Sequence, residues 1–527
     1  MNYQHKQPDP NAIGQAILNA YSSLPTKGKP QGKEWTVLAG LAISWKDTAA
    51  IDVVAIATGN RCVGKHRQEG DDGSIVVDCH AEVLVHRCFR RLLYDELLLL
   101  QSSEKKKDKQ RNGRSLLIPI PLPLQDDTKS TSHNNNHSSK KQCRYRLHPS
   151  ASIHLVISQT PCGDASIYQL QTTSLSSSSS LSAATFTTST TSTFTTTSSS
   201  SAVSTRSSIN LNWTGAKPIN LQNDTRDHQC IGCLRTKSSR SDALIERRTS
   251  SMCCSDKIAL WCHAGLEGTL LSTFVEPIWM TSVILLAGHV QEQQREFIRL
   301  STQRAIINRF EQVRLGSKKK EEKNNETFPI LLMGIIPMIY TSTLTYNRCK
   351  SSVELATLQS LQSVPLPPPS SSPSLSPSSS SSPSPPPPPP PSLSSTTVTT
   401  KESNKKTTSS SSSPPLKKRR RKKQPKLSTP SGYAVASIIG STTHEVFISA
   451  KGVLQGTTEK SKCLASVLSK RNFYLDYLKL IGNCDGDEAD DANKLEYATA
   501  KRMNSTEYAK KKKYFLNHTM LQDWKSL

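Results

Sequence analysis

The sequence predicts an α/β fold, with its last helices packed back on the core rather than forming a separate domain. Three observations carry this. Apolar runs of strand periodicity and of helix periodicity alternate along the chain. Residues 171–208 are almost wholly Ser and Thr, and 351–429 are dominated by Ser and Pro, so neither stretch can bury enough apolar surface to offset its ordering entropy. What is left of the 527 residues, namely 10–170, 209–350 and 430–527, is enough for one large core.

The elements follow in order. Ile13, Ala16, Ile17, Ala20 and Tyr21 share one face of a helix over 10–23. Trp35–Trp45 and Ile51–Thr58, joined by a short polar turn, read as an antiparallel hairpin. From Ala81 to about Leu100 the apolar positions recur at helical spacing, whereas 101–150 is polar and reads as loop. A strand at Ile153–Ser158 runs into Pro161 and Cys162, where proline suits a helix's first turn. Beyond the Ser/Thr tract come a helix at Asp256–Phe274, a strand at Pro277–Ala287, a helix at Gln291–Phe310 and an apolar run at Pro329–Tyr340. A β-pair (Tyr433–Gly440, Glu445–Ala450) and helices near 460–480 and 493–515 complete the pattern.

A net charge of +25 and a pI near 9.5 point to a polyanionic partner, nucleic acid first. The run Lys417–Lys423 (KKRRRKK) reads either as a solvated charge block in the linker or as a nuclear import signal; without it +18 remains, so the folded part is itself basic. Thirteen scattered cysteines do not make a secreted disulfide framework. The N-terminus lacks a basic-then-apolar leader and no run reaches membrane-span length, so a soluble intracellular protein of nucleus or cytoplasm is expected, with no membrane and no obligate protein partner.

The sharpest local signal is Cys79-His80-Ala81-Glu82 opening one helix, followed much later by Thr160-Pro161-Cys162 at the expected start of another. A histidine and a cysteine brought together at helix starts can share a zinc ion, with a glutamate two residues after the histidine close by but not a ligand. Such a metal lowers the pKa of its water for attack on the ring carbon that bears an amino group, and Glu82 would move the protons. The common deaminase pattern has a second cysteine three residues after the first, where this chain has Ala165. The remaining ligand must come from elsewhere, with Cys230, Cys233, Cys253, Cys254 and Cys262 among those available. Cys230 and Cys233 form a CxxC pair without a partner pair at zinc-ribbon spacing.

At these residues the chain resembles the adenosine deaminases acting on RNA, whose third ligand lies in a distant segment reading SCSDK. Met252-Cys253-Cys254-Ser255-Asp256-Lys257 aligns Cys254 with that ligand and Cys253 with the family's serine. Ala57-Thr58-Gly59, Pro161-Cys162-Gly163-Asp164 and Gly268–Pro277 (GTLLSTFVEP) match in the same order. The resemblance implies one discontinuous editase domain with a cytidine-deaminase-like core, a mixed sheet flanked by helices, in which zinc is held by His80, Cys162 and Cys254 and Glu82 is catalytic. It also implies a buried inositol hexakisphosphate, with Arg61, Arg87, Lys237, Lys257, Trp261, Lys501, Tyr508, Lys512 and Trp524 where the family has its ligands. His86 and Leu260 depart from it, standing where arginine is frequent.

Double-stranded RNA editing members usually carry RNA-binding domains ahead of the catalytic part, and about 35 residues precede the first strand here. Trp213-Thr214-Gly215-Ala216-Lys217-Pro218 is similar to a motif of the branch that acts on the adenosine immediately 3′ of the anticodon in alanine tRNA. These favour tRNA as the partner and inosine as the product. Asn60 is the candidate contact to the target ribose, and Arg240, Arg247 and Arg248 to the backbone. The competing readings are a deaminase of double-stranded RNA and a catalytically inert RNA-binding scaffold of the same fold.

Overall fold

The computed structural model describes residues 8–101, 114–120, 144–170, 211–212, 214–218, 231–237, 248–310, 336–362, 426–457, 465–482 and 493–517. Its centre is a mixed sheet of eight strands: β1 (Leu38–Trp45), β2 (Ile51–Thr58), β3 (Ala151–Ile157), β4 (Ser282–Leu286), β5 (Met338–Ser342), β6 (Tyr433–Ile438), β7 (His444–Ile448) and β8 (Val453–Leu454). They lie in the order β5-β4-β3-β1-β2-β6-β7-β8. β3, β4 and β5 run parallel, and every other neighbouring pair is antiparallel.

All of β1 is buried because both faces of the sheet are covered. On one face Ala39, Leu41, Ile43 and Trp45 join the core filled by Leu84, Cys88 and Phe89 of helix α2 (Ala81–Gln101). On the other, Leu38 and Ala42 meet Ile13, Ile17 and Tyr21 of helix α1 (Pro10–Ser23). α1 starts as its sequence dictates: the Asp9 side chain accepts the Asn11 N–H at 3.0 Å and Pro10 occupies the first turn. Between β1 and β2 the register slips by one residue at Leu41/Ala42, leaving Val54 as a bulge.

Among the described residues the remaining α-helices are α3 (Cys254–Ala264), α4 (Glu292–Ile306), α5 (Lys350–Gln362), α6 (Lys470–Leu480), α7 (Asn493–Met503) and α8 (Glu507–Asn517). The alternation of elements is as expected, but several expectations need correction. The segment 101–150, read as loop, contains a ribbon in which Leu117–Pro119 pairs antiparallel with Tyr145–Leu147. Trp35 lies outside the hairpin, its strand pairing with Thr429–Pro430 instead. The helix expected over 256–274 stops at Ala264, because Gly265 takes a φ of +112°, and only a short 3-10 turn at Leu271–Thr273 follows. The final helix is two helices, broken at Asn504–Thr506, where Asn504 and Thr506 bond to the turn at Leu271–Thr273. Residues 350–362, the start of the expected linker, are helical. The insert 171–208 and the run Lys417–Lys423 lie outside the described residues.

The described residues up to Thr357 and from Leu427 onward belong to one compact unit; of the other unit, Leu358–Lys426, residues 358–362 and 426 are described. Among the described residues no helix is long and apolar enough to cross a membrane. In the first unit α6 is fixed on α2 by ring stacking of Tyr94 on Phe473, 5.6 Å between centroids, and by the Arg91–Asp476 ion pair. Both charges of that pair are about nine-tenths buried, whereas Arg114–Asp47 is an open surface pair. Arg91 also donates to Asp95 at 2.6 and 2.9 Å, so removing Asp476 costs a charged hydrogen bond without stranding the guanidinium. Asp476→Ala is therefore expected to lower the free energy of unfolding by roughly 2 kcal/mol, and Asp47→Ala by no more than about 1 kcal/mol. Urea titration of the two variants checks the contrast, which equal losses would refute.

Candidate metal centre and active site

Strand β2 ends at Thr58, and Gly59 turns the chain into a ribbon, Asn60–Cys62 against Asp78–His80, in which Asn60 faces His80. A Cβ on Gly59 would lie 2.0 Å from the Cys79 carbonyl oxygen, so only glycine admits this approach. The Ala81 N–H then donates to the Gly59 carbonyl at 3.1 Å, which hands His80 straight to the first turn of α2.

Cys162 follows β3, but it opens no α-helix, contrary to the sequence expectation. Gly163 has a φ of +104°, and the chain makes only a 3-10 turn at Asp164–Ser166. A Cβ at Gly163 would fall 2.5 Å from Ser255 Oγ, so the turn rests directly on the start of α3. There Ser255 donates to the Cys162 carbonyl from both its N–H and its hydroxyl, each at 3.1 Å. The Cys254 N–H donates to Cys162 Sγ at 3.3 Å, using one of the unpaired N–H groups of a helix start. Thr214, in the segment resembling the tRNA-acting branch, accepts the Gly163 N–H at 3.2 Å.

These constraints bring three distant residues together. His80 Nδ1 lies 3.8 Å from Cys162 Sγ and 3.6 Å from Cys254 Sγ, and the three donor atoms all fall within 4.8 Å of one another. Tetrahedral bonds of about 2.3 Å to sulfur and 2.0 Å to nitrogen hold S and N about 3.6 Å apart, so the set fits zinc. Burial, with the charge of Lys237, pushes the His80 pKa down to about 3, which leaves the imidazole in the neutral form that binds metals. Cys253, buried as the cap residue before α3, is the helix neighbour rather than a member of the set. Cys233 is disulfide-bonded.

Glu82 is buried on the first turn of α2, and its Oε2 has no hydrogen-bond partner. Burial raises its pKa. Asn60 donates from Nδ2 to the Trp35 carbonyl at 3.3 Å, while its Oδ1 is buried and unsatisfied. Both atoms are poised for a ligand. Behind them Asp78 accepts from Lys237 at 2.7 Å, from Ser251 at 2.8 Å, from Lys257, and from the His80 N–H at 3.1 Å. Burial works against its ionisation, but the two ammonium groups prevail and hold its pKa well below the usual carboxylate range.

A second polar region lies between α2 and the last three helices. Burial opposes ionisation of Tyr497, yet Lys501, Arg90, Lys470 and Arg87 bring its pKa down to about 8. Burial, then Lys501, lowers Lys512 to about 8. Among the described residues none of these five cations has an ion pair. Arg87 donates to the Leu468 carbonyl at 2.6 Å, Arg90 lies over the Phe473 ring at 4.8 Å, and the Arg90 Nε is buried without a partner.

Of the residues assigned to a polyanion by resemblance, Arg87, Lys501 and Lys512 fall in this cluster, with Tyr508 buried alongside. Trp261 stacks on His86 at 4.1 Å. Lys237 and Lys257 are bound to Asp78, and Arg61 donates to the Pro430 carbonyl at 2.8 Å. Trp524, Arg240 and Arg247 lie outside the described residues, while the Arg248 Nε is buried without a partner. Arg90, Lys470, Tyr497 and the role of Asp78 were not legible in sequence, since each sits in a run that reads as an ordinary amphipathic or polar face.

The family description "Adenosine-deaminase (editase) domain" matches residues 55–119 and 122–328, just over half of the chain. Among relatives, tRNA-specific adenosine deaminase 1 of Drosophila melanogaster is 30% identical over 308 residues, 58% of this chain and 61% of that protein. The protein of the same name from Schizosaccharomyces pombe is 29% identical, over 52% of this chain and 56% of its own length. Double-stranded RNA-specific editase B2 of Mus musculus is 28% identical over 48% of this chain and 27% of its length. The chain thus spans less than two thirds of each of these relatives.

The geometry separates the two adjacent thiols. Cys254→Ser is expected to abolish stoichiometric zinc, while Cys253→Ser, which restores the family's residue, retains it. Metal analysis of the purified variants decides; the reverse result would shift the ligand assignment by one residue.

Proposed function

The chain belongs to the adenosine-deaminase (editase) family, and on that premise we propose that it converts adenosine to inosine in tRNA by zinc-dependent hydrolysis, at the adenosine immediately 3′ of the anticodon of alanine tRNA. The observation that carries this reading is the convergence of His80, Cys162 and Cys254 beside an unpartnered Glu82 carboxylate oxygen. The choice of tRNA is supported by the tRNA-specific relatives and by the segment at Thr214, which bonds to the turn after Cys162. The basic charge suits a phosphate backbone. The sheet with α2 and α3 reads as a cytidine-deaminase-like core.

Zinc held by His80, Cys162 and Cys254 would supply the Lewis acidity that makes water nucleophilic near neutral pH. Glu82 Oε2 takes the proton of the attacking water and delivers it to the ring nitrogen beside the reacting carbon. It then carries the proton with which ammonia leaves, so that adenosine and water give inosine and ammonia. Asn60 Oδ1 accepts from a hydroxyl of the target ribose, which positions the base.

Inositol hexakisphosphate is the proposed occupant of the basic cluster under α6–α8. Five neighbouring cations, four of them half-buried and Lys470 exposed, are mutually repulsive, and a polyphosphate satisfies them together through charge-assisted hydrogen bonds.

Two outcomes test these assignments. Glu82→Ala is expected to lower inosine formation in alanine tRNA by at least about 10²–10⁴-fold with zinc retained; unimpaired conversion refutes the mechanism, and faster conversion of long duplex RNA than of tRNA refutes the substrate. The second concerns pH. Without polyanion, folded Lys512 and Tyr497 lose their protons near pH 8, below their ordinary values of 10.5 and 10.0. Between pH 8 and 10 the unfolded chain therefore binds more protons, and stability contributed by these groups rises with pH. Bound inositol hexakisphosphate keeps Lys512 charged and removes the rise, as unfolding midpoints with and without the ligand would record; identical pH slopes count against occupancy.

A further inference from the structure

A cavity of about 480 Å³ lies where α1 ends and the loop after β5 begins, within the size range of small-ligand sites. Its wall includes Tyr21, Lys29, Gln31, Tyr346, Asn347 and Arg348, and no carboxylate lines it. The Lys29 ammonium donates to the carbonyls of Ser22 at 3.1 Å and Leu24 at 2.7 Å and lies 4.7 Å from the Tyr21 ring centre. Its hydrogen bonds thus serve the end of α1, though its charge still faces the cavity. Arg348 is less committed: NH1 donates to the Gly32 carbonyl at 3.0 Å, and among the described residues no carboxylate pairs with it. Tyr346 packs edge-on against Tyr21, 5.3 Å between centroids, and the Tyr21 hydroxyl is the group set against its buried hydroxyl. Two phenols bonded to each other still leave one O–H to donate to a ligand acceptor.

The cavity is next to the catalytic centre. β3 and β5 run parallel, so the Cys162 turn and the 343–349 loop leave the same end of the sheet. The Arg348 carbonyl accepts the Thr36 N–H at 3.0 Å, and the adjoining Trp35 carbonyl accepts Asn60 Nδ2 at 3.3 Å. The segment Trp35–Thr36 therefore joins the two.

We propose that this cavity receives a nucleotide of the RNA strand flanking the one that is deaminated, with its phosphate on Arg348 in the field of Lys29 and a base or ribose acceptor on the Tyr346 hydroxyl. The inference rests on the reading of RNA as substrate, and a free nucleotide would offer the same chemistry. The test uses the full-length zinc protein and an anticodon-stem-loop RNA bearing 4-thiouridine at positions on either side of the target adenosine, with cross-links mapped by mass spectrometry. The expected result is a cross-link in the peptides of Tyr21 or Tyr346. Arg348→Ala should raise KM about tenfold, the worth of one charged hydrogen bond, while kcat holds. It should also make the slope of log KM against log salt shallower by about 0.7. Tyr346→Phe, which keeps the ring, should reduce affinity at unchanged zinc content. The proposal is overturned by cross-links confined to other peptides with an unchanged KM, or by adenosine 5′-monophosphate binding at Tyr346 while the RNA does not cross-link there. Because cross-linking reports binding without turnover, a protein that cross-links here yet deaminates no RNA would refute the enzymatic reading alone.

Discussion

The arrangement depends on one buried carboxylate. Asp78 is 4% exposed, and it takes hydrogen bonds from Lys237, Lys257, Ser251 and the His80 peptide. Moving an anion and two cations out of water is costly, and such a network adds little net stability over an apolar packing of the same volume. What it adds is specificity of position. Asp78 ties the ribbon that carries His80 to the first turn of α3, which carries Cys254, and to Lys237 and Ser251. With the His80 peptide held in this way, its Nδ1 faces both sulfurs.

The sheet supplies the rest of the geometry. Cys162 leaves the end of β3, while α2 and α3 both begin at the centre, so their positive ends and unpaired N–H groups point at the reacting region. That field favours anionic ligands and an anionic substrate. The two glycines that let backbone touch backbone, Gly59 and Gly163, are as necessary as the ligands, because a side chain at either would push a donor out of range.

Much of this is legible in the amino-acid sequence. The helix opening at His80-Ala81-Glu82 is carried by local periodicity, and α1 by its capping aspartate and proline. The third donor is legible only through resemblance, since no spacing rule links Cys162 to a residue 92 positions away. Where sequence and structure part, a local exception overrides a regional pattern. Apolar periodicity continues past Ala264, but Gly265 in a positive-φ conformation ends α3. Pro161 suggests a helix start, yet Gly163 turns the chain away. Arg90 and Lys470 look like solvated helix positions until α6 packs on α2, setting Arg90 over the Phe473 ring and both cations beside Tyr497, an event that no window of sequence contains.

That packing gives the tail its bearing on catalysis. Arg87 and Arg90 stand on the same helix as Glu82, and His86 lies one turn beyond it, stacked on Trp261 of α3, the helix that carries Cys254. Repulsion among the clustered cations therefore acts on α2, the helix that holds the proton carrier. A group that neutralised the cluster would steady α2 without touching the reacting atoms. A polyanion bound there, as proposed, would act through α2, since cations left unpaired inside a protein favour whichever opening readmits water.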